Sequence, residues 1–484
     1  MKNFSITVSI FLSVFFLPVT PTMAGGDGTV YQADEVLWTW SAPAYSLDIL
    51  NLGNKWNIPL SPEQVKPEMP FGKGVFRPLP VLAEIREEPS GNLDERRKDS
   101  VVEDQSLKQK GYHYLKNTLK TYTDIQDSGG WPEIKPGSPL RIGDQGPRTE
   151  ALRTHLIITG DLSAETAAGS NIYDSDLERA VKRFQRRHGL NEDGIVGKNT
   201  LAVINIPVED RMKQLQINME RWRSLPDNFG LRYLMVNIPG FELSIVENNT
   251  VVQKMRTIVG KKRRQTPVMS DRITYLELNP YWNIPRRIFF KDLLPRIQED
   301  PEFLAKQGIR VFDSWQQEAS ELDPVDIDWG QVSSGSFPYR LRQDPSEINS
   351  LGKVKFMFPN QKSVYIHDTP GKTLFNKQKR TFSSGCVRVQ EPLALAEYLL
   401  KEQKWDRKKL ETTIEKGQRQ IIVLKETIPV HLVYLTAWVD EDGDVNFRED
   451  IYDKDRQFLS DLNKESSILT NYKNDDGNDI LLAN

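Results

Sequence analysis

The chain has 484 residues, about three domains at roughly 150 residues each. Hydrophobic residues make up 38% and charged residues 27%, which excludes a wholly disordered or a membrane-embedded chain. Lys plus Arg total 64 against 67 for Asp plus Glu, a net charge of −3, so the bulk charge gives no support to nucleic acid as a partner.

The first element in chain order is an export signal. Lys2 precedes an apolar run from Phe4 to Val19, and Thr22-Met23-Ala24 then offers small residues at a cleavage site. The run is short for a bilayer-spanning helix, which needs about 20 residues. A signal peptide over 1–24 is expected, with an uncleaved anchor as the alternative. Residues 25–138 form an N-terminal scaffold region of unread function: scattered tryptophans, many prolines, a charged run from Arg86 to Lys110, then an amphipathic helix from Gly111 to Asp127.

Residues 139–208 are more legible. Arg148–Leu156 reads as a helix. Ser175–His188 reads as a second, with Leu177, Ala180, Val181 and Phe184 at helical spacing and Gly189 as its stop. Asn199 is placed to cap a short third helix from Thr200 to Ile204. His188 would serve as a charge at a helix C-terminus rather than a metal ligand. The stretch from Ala180 to Leu190, with Asp193-Gly194-Ile195-Val196-Gly197 and Thr200-Leu201, resembles the three-helix peptidoglycan-binding domain.

A helical linker is expected over 209–229. From Arg232 the pattern changes to short alternating strands, with Pro239-Gly240 as a turn, which argues for a mainly β domain over 230–424. A polar stretch over 295–350 interrupts it as a capping insert, and inserts of this kind tend to be lids. Strands and a tail follow over 425–484. Asp440-Glu441-Asp442-Gly443-Asp444 fails the calcium-loop spacing and reads as a turn. Lys261-Lys262-Arg263-Arg264 reads as a solvated hairpin or a surface for an anionic polymer.

The chemistry concentrates around one cysteine. Cys386 is the sole cysteine, so an intrachain disulfide and multi-cysteine metal sites are excluded. It follows Gly385, which permits a tight turn whose amides could converge on an oxyanion. Arg380 and Arg388 could lower the thiol's pKa. His367 ends a strand in which Tyr365 shares its face, and is the natural base.

The spacing of His367 from Ser383-Ser384-Gly385-Cys386-Val387-Arg388 resembles the active-site signature of L,D-transpeptidases. Ser384 stands where the common form has a histidine, and Arg388 where it often has an asparagine. That departure resembles the larger periplasmic branch, which carries a peptidoglycan-binding domain and a capping insert. Tyr281-Trp282-Asn283-Ile284-Pro285 is similar to that branch too.

The resemblance implies a multidomain α+β protein: a mainly-β catalytic domain with an inserted lid, plus a small three-helix module. It implies a Cys386 thioester formed on a tetrapeptide stem with loss of D-alanine, then attack by an acceptor stem's diaminopimelate amine. His367 is the base, Ser384, Gly385 and Cys386 amides form the oxyanion hole, and the Asp368 carbonyl orients the imidazole. Arg388, Tyr365, Ser383, Tyr281 and Trp282 are the substrate-binding candidates. No metal or cofactor is implied. The partners are donor and acceptor stems, with other cell-wall synthesis enzymes besides, in the periplasm of a Gram-negative bacterium. The resemblance also implies acylation by carbapenems. Water, a free D-amino acid or a lipoprotein lysine are alternative acceptors. A non-catalytic wall-binding protein is the alternative of a different class.

Overall fold

The computed structural model describes residues 107–165, 171–300, 302–316, 318–333, 335 and 337–461. The expected signal peptide, most of the scaffold region and the end of the tail lie outside them.

The small helical module contains α2 (Pro147–Ile158), α3 (Ser175–Arg187) and α4 (Lys198–Ile204). Asp174 caps α3 by accepting from the Leu177 amide, and acidic and basic residues sit at the ends that suit the helix dipole. Leu177, Ala180, Val181 and Phe184 are all buried in one core with Leu152 and Leu156. Burying Phe184 alone contributes about 2–3 kcal/mol. Gly189 lies at φ 66°, the left-handed residue that stops α3. Gly197, not Asn199, holds the N-cap of α4, and no side chain caps that helix.

Helices α1 (Leu107–Asp127) and α5 (Val208–Arg223) share a core with part of the sheet and with the hairpin β14 (Ala437–Val439) and β15 (Val445–Phe447). The turn of that hairpin is the Asp440–Asp444 run. Asp440 Oδ1 accepts from the Asp442 and Asp444 amides, so the acidic residue builds a turn and not a calcium loop.

The larger part is a nine-stranded sheet. It contains β1 (Arg232–Asn237), β2 (Glu242–Glu247), β3 (Thr250–Gly260), β4 (Met269–Leu278), β9 (Val354–Met357), β10 (Ile366–His367), β11 (Thr381–Ser383), β12 (Val387–Val389) and β13 (Gln420–Val433). Their order is β11-β3-β12-β10-β9-β4-β13-β1-β2, and a further pairing of β3 with β2 closes the sheet on itself. Strand β13 is continuous across 424/425, so the domain boundary expected there cuts a strand of the sheet.

One face of the sheet is apolar. Leu276, Phe356, Ile366 and Val387 lie side by side on neighbouring strands and pack with Leu395, Ala396 and Leu399 of α6 (Pro392–Leu400) and Leu410 of α7 (Arg407–Glu415). Alternation along each strand then sends Lys355, His367 and Arg388 to the opposite face.

The insert is larger than 295–350. Its sheet, β5-β8-β6-β7, uses β5 (Trp282–Asn283), β6 (Ile309–Phe312), β7 (Glu321–Leu322) and β8 (Arg340–Gln343). A helical run from Arg286 to Glu299 includes a π-helical turn at Phe289–Leu293. Phe289, Trp329, Phe337 and Leu341 form a core separate from that of the main sheet.

Candidate active site

Strand register builds the site. β10 runs parallel to β12 with His367 opposite Arg388, and antiparallel to β9 with His367 opposite Lys355. Lys355 in turn lies opposite Glu277 on β4. A row of polar side chains, Arg388–His367–Lys355–Glu277, therefore crosses four strands. Glu277 is buried and pairs with Lys355 at 3.3 Å and Arg419 at 2.9 Å.

Cys386 sits one step along this face, where the chain enters β12. Its sulfur lies 3.9 Å from the Ser363 carbonyl oxygen and against Tyr365, whose main-chain N–H and phenol both approach it. The Tyr365 ring is also 5.5 Å from the His367 ring, edge to face, and lies under Lys355 Nζ at 4.7 Å. Tyr365 thus touches both the Cys386 thiol and the His367 imidazole.

His367 is buried, and its Nδ1 lies 2.5 Å from the Asp368 carbonyl oxygen. A carbonyl only accepts, so Nδ1 carries the proton and Nε2 is left as the basic nitrogen. Burial first, then Arg388, pushes the imidazole down to about 3, with the Asp368 hydrogen bond opposing. Burial likewise pushes the Cys386 thiol up, against the Tyr365 amide, Lys355 and Arg388. The resting pair is a neutral thiol and a neutral imidazole. Arg380 takes no part: its guanidinium donates to the carbonyls of Thr257, Lys377 and Phe241.

The catalytic turn is braced from beneath. Gly385 has φ 127°, open to glycine and rare for other residues. Ser383 is buried; its Oγ donates to the Cys386 carbonyl at 2.6 Å and accepts from the Gly385 amide at 3.1 Å. Ser383 is therefore a brace rather than a substrate contact, and the Gly385 amide is not free for an oxyanion. The amides of Ser384 and Cys386 find no acceptor among the described residues and remain as the candidate donors.

Thr266, fully buried, accepts from the Gly260 amide at 2.9 Å and donates to the Gly385 carbonyl at 2.8 Å. Arg264 pairs with Asp292 of the insert and donates to Ser384 Oγ at 2.9 Å. It ties the insert to the catalytic turn instead of forming a solvated hairpin. Neither residue carries a sequence signal, because both act through contacts distant in the chain.

Tyr281 and Trp282 are not brought to the cysteine. Tyr281 lies under Arg342 at 4.4 Å, and Trp282 packs on the core of the insert. The Asp368 carboxylate accepts from the Lys353 amide at 2.8 Å and pairs with Lys372, so only its main chain serves the imidazole.

Arg388 stands apart. No carboxylate pairs with it among the described residues, and its buried Nε has no hydrogen-bond partner. A guanidinium in that state, opposite His367, fits an incoming carboxylate.

Residues 231–422 match the family described as "L,D-transpeptidase catalytic domain". Over these residues the chain is similar to the L,D-transpeptidases. Residues 145–204 match "Putative peptidoglycan binding domain". A "Putative L,D-transpeptidase" of Haemophilus influenzae is 36% identical over 252 residues, 52% of this chain and 50% of that protein. The chain thus spans about half the length of that relative. Among solved structures, the L,D-transpeptidase from Mycobacterium smegmatis is 12% identical and covers 42% of this chain and 58% of its own, with a TM-score of 0.22. That from Stackebrandtia nassauensis is 14% identical and covers 62% and 96%, also with a TM-score of 0.22.

Proposed function

We propose that the protein is a periplasmic enzyme that cross-links peptidoglycan stems through a Cys386 thioester. The observation that carries the reading is the placement of one cysteine, one neutral histidine and one unpaired arginine on a single face of the sheet.

In the first step the Cys386 sulfur attacks the carbonyl of the third stem residue. The S–C bond forms, His367 Nε2 takes the thiol proton, and the Ser384 and Cys386 amides hold the oxyanion. The C–N bond to D-alanine then breaks, and the imidazole returns its proton to the leaving amine. In the second step the diaminopimelate amine of an acceptor stem attacks the thioester, and the sulfur leaves as the thiol.

Arg388 links binding to chemistry. Its charge opposes imidazolium formation while it stands alone. A stem carboxylate on Arg388 cancels that charge, so the imidazole becomes a better base as substrate binds. The same thiol and oxyanion donors suit a strained lactam carbonyl, and carbapenem acylation of Cys386 follows from this reading. The signal-like apolar run from Phe4 to Val19 supports export, and with it work in the periplasm of a Gram-negative bacterium.

Product analysis tests the reaction. Purified protein with disaccharide-tetrapeptide should give a dimer lacking one D-alanine, seen by mass spectrometry. A tripeptide monomer alone would instead make water the acceptor.

A further inference from the structure

A second cavity, of about 1030 Å³, lies between the peptidoglycan-binding module and the catalytic domain. Its walls come from the end of α3, from α4 and α5, from the β1–β2 turn, from residues 376–380, and from β15 with the residues after it. Cys386, His367 and Arg388 do not line it. Its volume is at the top of the range for small-molecule sites, roughly 300–1,000 Å³.

Pairing leaves this wall cationic. Arg186 pairs with Glu192, Lys213 with Asp210 and Lys379 with Glu449. Arg211, Arg256, Lys377, Arg380 and Arg448 also line the cavity, and none has a carboxylate partner among the described residues. Arg211, Arg380 and Arg448 are held by main-chain carbonyls: that of Val203 for Arg211, those of Thr257 and Phe241 for Arg380, and that of Arg187 for Arg448. These bonds fix the guanidinium groups without neutralising them. Among the lining acids, Asp455 is taken by Arg221, while Asp450, held by the Tyr434 phenol, and half-buried Glu242 keep their charge, two acids against the five unpaired cations.

We infer that this cavity is a second binding site, for the carboxylate-bearing stem of a peptidoglycan fragment. The inference rests on the acyl-transfer reading for the choice of ligand. Several separated cations suit a ligand with several carboxylates better than a single small anion. One wall belongs to the wall-binding module. Another, Lys377–Arg380, runs directly into β11 and from there to the catalytic turn, so the occupant is held on the chain segment that leads to the nucleophile.

Calorimetric titration of the full chain carrying Cys386→Ala tests this with disaccharide-tetrapeptide as the probe. Two ligands should bind per chain. Adding Arg256→Glu and Lys377→Glu, both exposed positions, should weaken one of the two at least tenfold and leave the other. Amidating the stem carboxylates should weaken both, since Arg388 also takes a carboxylate. A single site untouched by the double substitution, equal binding of the amidated probe, or binding of inorganic phosphate without the muropeptide would each overturn the proposal. Turnover by the chain with Cys386 intact separates the two readings. Two bound ligands without any product would sink acyl transfer and leave the site. Product with only one bound ligand would do the reverse.

Discussion

At the scale of single residues, the site depends on charge balance around His367. The sequence placed Cys386, His367 and the Asp368 carbonyl in their neighbourhood because they sit in one short motif. It could not show that Arg388 is unpaired, because an ion pair depends on which strands become neighbours. The same limit hid Ser383 as a brace and Thr266 as its counterpart from the β3–β4 loop. Arg388→Gln should separate its two roles. With the cation gone, the imidazole protonates more readily, so the acid limb of Cys386 alkylation should move up in pH, while burial and Lys355 still hold it below 6.5. Meanwhile kcat/KM for carboxylate-bearing stems should fall about 10–100-fold, as expected for losing one charged hydrogen bond of roughly 1.5–3 kcal/mol. An alkylation profile unchanged in the variant would remove Arg388 from the base's electrostatics.

At the scale of elements, helices with strong apolar stripes were legible to within a few residues: α3 and its glycine stop are the clearest case. The insert was legible as an interruption but not in extent. Trp282 and Asn283 look like part of the main sheet in sequence, and only pairing with β8 assigns them to the insert. The long β13 was divided because Lys425, Glu426 and Thr427 interrupt its alternation; the structure absorbs them in an irregularity between Val423 and Ile428. The insert meets the catalytic turn through Asp292, Arg264 and Ser384. Asp292→Asn should loosen that tie, raising the rate of Cys386 alkylation by a small reagent a few-fold while raising KM for stems. Its own core predicts a further separation. Phe289→Ala, a loss of about 3–5 kcal/mol locally, should unfold the insert but leave the thiol of the main sheet reactive. Loss of thiol reactivity in step with the insert would make it a folding element instead of a lid.

At the scale of the whole molecule, the wall-binding module is fastened to the β14–β15 hairpin. Arg183 pairs with Asp444 at 2.5 Å, and Arg448 donates to the Arg187 carbonyl at 2.8 Å. His188, expected to be a charged helix end, is buried and stacked between Phe184 at 3.8 Å and Phe447 at 5.5 Å. Burial, then Arg187 and Arg211, holds its pKa well below 6.5. It stays neutral in the fold while the unfolded chain takes up a proton below pH 6.5. Its contribution is therefore complete above that pH and is lost as pH falls. Between pH 7 and 5 this amounts to about 2 kcal/mol. His188→Phe keeps an aromatic ring in the stack, so the stability gap between wild type and variant should shift by that amount over the same interval in denaturant titrations. Parallel pH curves would place the titration elsewhere. This fastening sets the module beside the domain that carries Cys386, and the account stands or falls on that sulfur. The most direct measurement is intact-mass analysis of the full chain during turnover of disaccharide-tetrapeptide, with the adduct mapped by digestion. One acyl group on Cys386, absent from Cys386→Ala together with all product formation, is the predicted result. An adduct on a serine, or product from Cys386→Ala at more than a few per cent of the wild-type rate, would contradict it.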